Sequence, residues 1–147
     1  KLLPKNFEQV KQSQIGFPGE GIELDAHAKA QLQVMLDFMK ADPTVNHIEL
    51  DGHSDNSGNR LTNRELSRRR ALAVMDYFKA NGVQESQITL RFHGERYPLA
   101  PNTSAANRAK NRRVNVHLAR VAPVETPAPQ ATVPASPANA ANAAKTS

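Results

Sequence analysis

The sequence predicts an α/β domain in which helices pack against a single sheet that is at least partly parallel. Three observations carry this. Segments with an apolar residue at every second position take turns along the chain with segments whose apolar residues recur every three or four. The strands come one at a time between helices rather than in hairpins, the order of a layered α/β fold. The connections between successive strands are long enough for crossovers, which parallel neighbours require.

Taken in order, Val10 to Phe17 reads as a first strand, ended by Pro18-Gly19. Asp25 is a good N-cap for a helix whose apolar stripe is Ala28, Leu32, Met35, Leu36 and Met39, stopped at Asp42-Pro43. From His47 to Gly52 the side chains alternate, Ile48 and Leu50 on one side, Glu49 and Asp51 on the other. Asn56 to Asn59 is a loop by composition. A long helix follows from about Leu61 to Ala80, free of Pro and Gly and rich in Arg, Leu, Ala and Glu, with Asn81-Gly82 as its stop. Ile88, Leu90 and Phe92 mark a third strand. Gly94 to Asn102 is irregular, Ser104 to Lys110 a short helix, and Val114, Val116 and Leu118 the inward side of a last strand.

At 147 residues the chain holds one domain with a real core. Residues 1–120 form it, ordered from about Lys5, and 121–147 form a tail dominated by Ala and Pro from Ala122 onward, too poor in apolar side chains to offset the entropy of ordering. The tail reads as a spacer. With no Trp and 5% aromatic residues, the core is built from Leu, Ile, Val, Ala and Met. The absence of cysteine excludes disulfides, thiolate catalysis and Cys-based zinc sites. The chain starts at Lys1 and reads as a processed form or an excised fragment; no signal peptide or membrane-spanning run is visible. The formal charge of +5 is concentrated in Arg64 to Arg70 and Arg108 to Arg113. Such clusters attract anionic polymers, though most are solvated helix faces.

Arg70 stands out from its neighbours. At helical spacing it shares a face with Leu66, Ala73, Val74 and Tyr77, while Arg68 points nearly opposite and Arg69 lies at the boundary. A guanidinium stays charged at any ordinary pH, and leaving one buried without its partner costs about 3–5 kcal/mol. An anion must therefore lie near Arg70. Two arrangements satisfy this: an internal ion pair with Asp51, Asp55 or Glu65, or a pocket shared with Asp55 in which a ligand completes the charge balance.

The motifs resolve the choice in favour of the pocket. Gly52-His53-Ser54-Asp55, Gly58, Asn63, Leu66-Ser67, Arg70-Ala71 and Gly82-Val83, then Gly94-Glu95, Pro98, Asn102 and Asn111-Arg112-Arg113-Val114, closely resemble in order and spacing the pattern of the OmpA C-terminal-like family. The match runs over about residues 15 to 120. Ser54 stands where the pattern has Thr, keeping the hydroxyl. The resemblance implies a two-layer sandwich of a mixed sheet packed with helices, and non-covalent binding of peptidoglycan without catalysis, cofactor or metal. It implies that Asp55 and Arg70 hold the meso-diaminopimelate of the stem peptide. Asp55 would accept from the ammonium group and Arg70 would present its planar fork to a carboxylate, each charge-assisted bond contributing about 1.5–3 kcal/mol if shielded from water. The loop from Asn56 would add backbone donors, Leu66 would floor the pocket, and Asn63 and Arg112 would either line the site or brace its loops. The family includes porin tails, lipoproteins and flagellar stator proteins. The text from Gly58 to Ala71 is most similar to its flagellar branch, which implies a periplasmic wall anchor in a Gram-negative bacterium and partners in the stator or basal body reached through an N-terminal region.

Three other chemistries are available on paper. His47, Asp51, His53 and Asp55 share one side of an alternating strand, with His93 elsewhere, but they form no recognised ligand set for a metal-dependent hydrolase. The arginines lack the recognition motif and stacking aromatics of a nucleic-acid site. Ser54 and Ser67 lack the strand-turn-helix context of a nucleophilic serine.

Overall fold

The computed structural model describes residues 7–121; the predicted tail from Ala122 and the first six residues lie outside the described part. Four strands and three helices follow one another as β1 (Phe7–Gly16), α1 (Ala26–Ala41), β2 (His47–His53), α2 (Arg60–Ala80), β3 (Ile88–Phe92), α3 (Ala105–Asn111) and β4 (Arg113–Val121). Every element expected from the sequence is present. β1 begins three residues before Val10, and β4 runs on through Val121, which the sequence assigned to the tail.

The strands form one sheet in the order β1-β4-β2-β3. β2 and β3 are parallel, joined by the α2 crossover, while β4 enters between β1 and β2 and is antiparallel to both. The sheet is therefore mixed. α1 and α2 cover one face. Ile15, Ile48, Leu50, Val114, Val116 and Leu118 from the strands meet Leu32, Met35, Leu36, Val74 and Phe78 from the helices in one fully or nearly fully buried core.

Local chemistry sets the helix ends. Asp25 caps α1, its carboxylate accepting from the Ala28 N–H at 2.8 Å, and Asn59 caps α2 through the Thr62 N–H at 2.8 Å. After α2 the chain reverses at Gly82, whose φ of 98° is a left-handed conformation suited to glycine. The buried stripe of α2 is Asn63, Ser67, Arg70, Ala71, Val74 and Phe78. It is turned by about one residue from the expected one: Leu66, Ala73 and Tyr77 are only half-buried. The polar Ser67 takes the central place because its hydroxyl donates to the Arg64 carbonyl at 2.7 Å and accepts from the Gly94 N–H at 2.9 Å.

One glycine decides how α2 meets the sheet. A Cβ on Gly52 would lie 2.2 Å from the Ser67 carbonyl oxygen and 3.2 Å from the Ala71 Cβ. Only glycine lets α2 settle this closely on the C-terminal end of β2, which brings Arg70 toward the loop that carries Asp55.

Candidate functional site

Beyond His53 the chain leaves the sheet but stays pinned. The Ser54 N–H donates to the Gly94 carbonyl at 2.9 Å, and Asp55 Oδ1 accepts from the Ser57 N–H at 2.9 Å. Asn63 closes the loop. Its Oδ1 accepts from the Gly58 N–H at 3.0 Å, and its Nδ2 donates to the Gly58 carbonyl at 2.9 Å and to Glu95 Oε1 at 3.2 Å. Of the two roles open to Asn63, the contacts are those of a loop brace. Asp55 is 5% exposed, and its Oδ2 accepts from Arg112 Nη1 at 2.7 Å. Burial alone would raise the Asp55 carboxyl, but the hydrogen bonds from Ser57 and Arg112 hold it below its ordinary range.

Arg70 is wholly buried, the largest such side chain among the described residues. None of the three carboxylates named for an internal pair binds it. Asp51 is taken by Arg91 and His93, Glu65 by Arg68 and Arg69, and Asp55 by Arg112. Backbone carbonyls of the β1–α1 connection serve instead: Arg70 Nε donates to Gly21 at 3.0 Å and Nη2 to Gly19 at 3.3 Å, while the guanidinium lies over the Phe17 ring at 5.3 Å. Nη1 has no partner. Carbonyl dipoles satisfy two nitrogens without neutralising the charge. The guanidinium is consequently pushed down to about 10, first by burial and next by repulsion from Arg112, against the attraction of Asp55 and Glu20.

Arg112 joins the two halves. Its Nε donates to the Phe17 carbonyl at 2.9 Å and its Nη2 to that of Pro18, while Nη1 holds Asp55. The β1–α1 connection is thus gripped by two guanidiniums, and beside it lies a cavity of about 240 Å³ lined by Phe17, Gly21, Leu24 and Asp25. Asp55, Arg70 and Arg112 form one electrostatic unit, with two guanidiniums to the one carboxylate in contact and Glu20 attracting Arg70 from a greater distance.

The other predicted residues lie around this unit. Asn56 is exposed and lines a larger cleft of about 720 Å³ between the start of α2 and the segment after β3. Leu66 is half-buried in a shallow groove with Leu61, Thr62, Glu65 and Arg69. Sequence reasoning missed Arg112 as the direct partner of Asp55. The signal is in the register: β2 and β4 run antiparallel with His53 opposite Arg113, so the residues just past His53 meet those just before Arg113.

The histidines form a different structure. His93 Nε2 lies 2.8 Å from Asp51 Oδ1, and His53 stacks on the His93 ring at 5.0 Å. Among the described residues no three His, Cys, Asp or Glu side chains come together to hold a metal ion.

Fold and site together define a small α/β domain that presents charged side chains at one end of its sheet. The chain belongs to the OmpA family, which matches residues 16–112. It is 27% identical over 119 residues, or 81% of its length, to the sodium-type flagellar protein MotY of Vibrio parahaemolyticus. It is 35% identical over 114 residues, or 78% of its length, to the peptidoglycan-binding protein ArfA of Mycobacterium tuberculosis. It spans 41% of the first relative and 35% of the second. Its fold matches the crystal structure of the peptidoglycan-associated lipoprotein from Burkholderia pseudomallei with a TM-score of 0.66 and 27% identity, over 71% of this chain and 88% of that one. Among the described residues no helix is long and apolar enough to cross a membrane.

Proposed function

We propose that this domain binds peptidoglycan non-covalently through its stem peptide, with Arg70 receiving a carboxylate of meso-diaminopimelate and Asp55 its ammonium group. The observation that carries this reading is the excess of positive charge: Arg112 takes the Asp55 carboxylate, and Arg70 Nη1 is buried with no hydrogen-bond partner among the described residues. A ligand carboxylate would supply the missing anion. It would take Arg70 by displacing the Gly19 and Gly21 carbonyls that now accept from it. A zwitterionic amino acid adds no net charge, so the ammonium end would be drawn to Asp55 while Arg112 keeps the carboxylate oriented. Asn63 would hold the loop, and Leu66 would contribute apolar contact.

The same reading makes the chain a wall anchor in the periplasm of a Gram-negative bacterium, with no bond made or broken. Likeness to a flagellar protein supports attachment of motor-associated parts, whose stator or basal-body contacts would lie outside this domain. Likeness to a peptidoglycan-associated lipoprotein supports the second reading, a general tether between outer membrane and wall.

The test is sedimentation with purified peptidoglycan. Asp55→Asn and Arg70→Met should each abolish co-sedimentation while the circular-dichroism spectrum stays near native, and lysine-type wall, which lacks the extra carboxylate, should be retained poorly. Undiminished binding of both variants, or equal retention of both wall types, would defeat the assignment.

A further inference from the structure

The cleft of about 720 Å³ between the start of α2 and the segment after β3 does not belong to the Asp55 unit, and its chemistry is one-sided. Its walls carry Arg60 and Arg64 from the first turns of α2 and Arg96 from the segment after β3, with Asn56 and Asn102 between them and Glu95 as the lone carboxylate. None of these three arginines has an ion-pair partner among the described residues, whereas Arg68, Arg69, Arg91, Arg112 and Arg120 all do. Glu95 is occupied by Asn63. The guanidiniums are nonetheless placed rather than adrift. Arg64 lies over the Phe92 ring at 4.7 Å and Arg96 over the Tyr97 ring at 5.4 Å. Stacking orders the plane of a guanidinium and leaves its N–H edges free to form a fork on a carboxylate.

Two further features argue that an anion belongs here. Arg60 opens α2, and the first turn holds no acidic residue. Cations at a helix N-terminus oppose the helix dipole, an arrangement that an anion in the cleft would reverse. The far wall is also fixed. Gly94 has a φ of 60°, its N–H and carbonyl are both hydrogen-bonded, and a Cβ there would lie 3.1 Å from the Arg64 Cα. The segment after β3 can therefore press against α2 and hold Arg96 across from Arg64.

We infer that this cleft is a second anion subsite, taking a carboxylate of the wall peptide other than those of the residue held at Asp55 and Arg70. The inference rests on the reading above and extends it. Asn56, next in the chain to Asp55, lines the cleft, so a peptide leaving the Asp55 unit along this loop enters it. A stem peptide carries carboxylates along its length. The amide side chains of Asn56 and Asn102 suit the peptide groups between them, and Glu95 weighs against a uniformly anionic polymer such as nucleic acid.

The experiment is titration calorimetry of the full chain with three soluble probes: free meso-diaminopimelate, a muropeptide with free carboxylates, and the same muropeptide amidated at carboxylates outside its diaminopimelate residue. The double variant Arg64→Gln/Arg96→Gln should bind the free-carboxylate muropeptide about tenfold more weakly than the unmodified protein, with a shallower salt dependence. Both proteins should bind diaminopimelate equally and the amidated muropeptide equally. Equal affinity of the two proteins for the free-carboxylate muropeptide would remove the subsite while leaving the function standing. Equal loss for all three probes would mean a general structural effect and would also overturn it. So would salt-sensitive binding of an oligonucleotide that disappears in the double variant. If the unmodified protein binds none of the probes, the proposed function fails and the subsite with it. Should the double variant lose its native circular dichroism, Arg60→Gln, on an exposed side chain, makes the same comparison.

Discussion

Two charged clusters hang from β2, and they are built on opposite principles. On the face of the sheet away from α1 and α2, Arg91 reaches Glu49 at 2.8 Å and Asp51 at 3.0 Å, and His93 joins Asp51. Carboxylates outnumber guanidiniums, and Arg91 is raised above its ordinary range, chiefly by the hydrogen bond it donates to Asp51. Four residues past Asp51, Asp55 faces two guanidiniums, and the buried one is lowered. The first cluster is satisfied by the protein itself. The second is not, and a buried cation held by carbonyls alone is an expensive arrangement for a fold to keep unless something external completes it. Charge balance, rather than the presence of charge, separates the brace from the proposed binding site.

The comparison breaks most completely at Gly52, which lies between the clusters. Gly52→Ala forces a methyl into the Ser67 carbonyl and lifts α2 from β2. A loss of about 3 kcal/mol or more and a fall of about ten degrees in the thermal midpoint are expected, together with loss of wall binding. A native midpoint would mean that α2 has slack and that the site is less tightly positioned than its contacts imply.

The next test uses the two aspartates as a crossed pair. Asp51→Asn should lower stability by about 2 kcal/mol, because Arg91 and His93 lose a charged acceptor, and leave co-sedimentation with peptidoglycan intact. Asp55→Asn should abolish co-sedimentation and also lower stability, because Arg112 loses a buried carboxylate partner, so loss of binding is what separates the two variants. If both variants lose stability and neither loses binding, the two clusters are structural alike.

Acid sharpens the same contrast. His53 is 5% exposed, and burial first, then the nearby Arg113 and His93, push its imidazole from 6.5 down to about 4. Between those values the unfolded chain binds a proton that the fold refuses, so stability rises with pH across that window and falls as pH drops from 6.5 toward about 4. The loss attributable to His53 is about 3 kcal/mol, and His53→Gln should flatten it in urea titrations at successive pH values. Asp51 acts lower. Its carboxyl is held below 3.8 by Arg91 and His93 against the opposing effect of burial, so its contribution persists above that pH and is lost as pH falls through its folded value.

Local signals made the fold legible. Asp25 and Asn59 cap their helices as such residues do, and the period-two runs became strands. The inward turn of Arg70 followed from helical spacing. What spacing could not supply was its partner. Arg112 lies 57 residues from Asp55 in the chain, and the two meet only because β4 inserts antiparallel between β1 and β2, a choice of strand order that no local pattern encodes. Nor could composition show that Gly19 and Gly21 would offer carbonyls to Arg70, since backbone acceptors are the same in every residue. The motif resemblance named Asp55, Arg70 and Arg112 as residues of interest but not the Asp55–Arg112 pairing, and Asp55 and Arg70 make no direct contact.

The smallest expected effect sits beside the largest side chain of the core. Arg68, Arg69 and Arg70 are consecutive, yet the helix sends the first two to Glu65 at the surface, at 2.6 and 3.3 Å, and the third inside. Pairs so exposed gain little, because water screens them and two long side chains must be held still to make them. Glu65→Ala should therefore move the thermal midpoint by no more than about two degrees and leave wall binding unchanged. The result bears on the charge-balance argument directly. If removing Glu65 weakened binding, its carboxylate would be acting on the ligand or on Arg70 through space, and the count of two guanidiniums to one carboxylate would be wrong. If binding instead strengthened, the surface pair would be drawing positive potential away from the site, and the neighbouring Arg69 would belong to it.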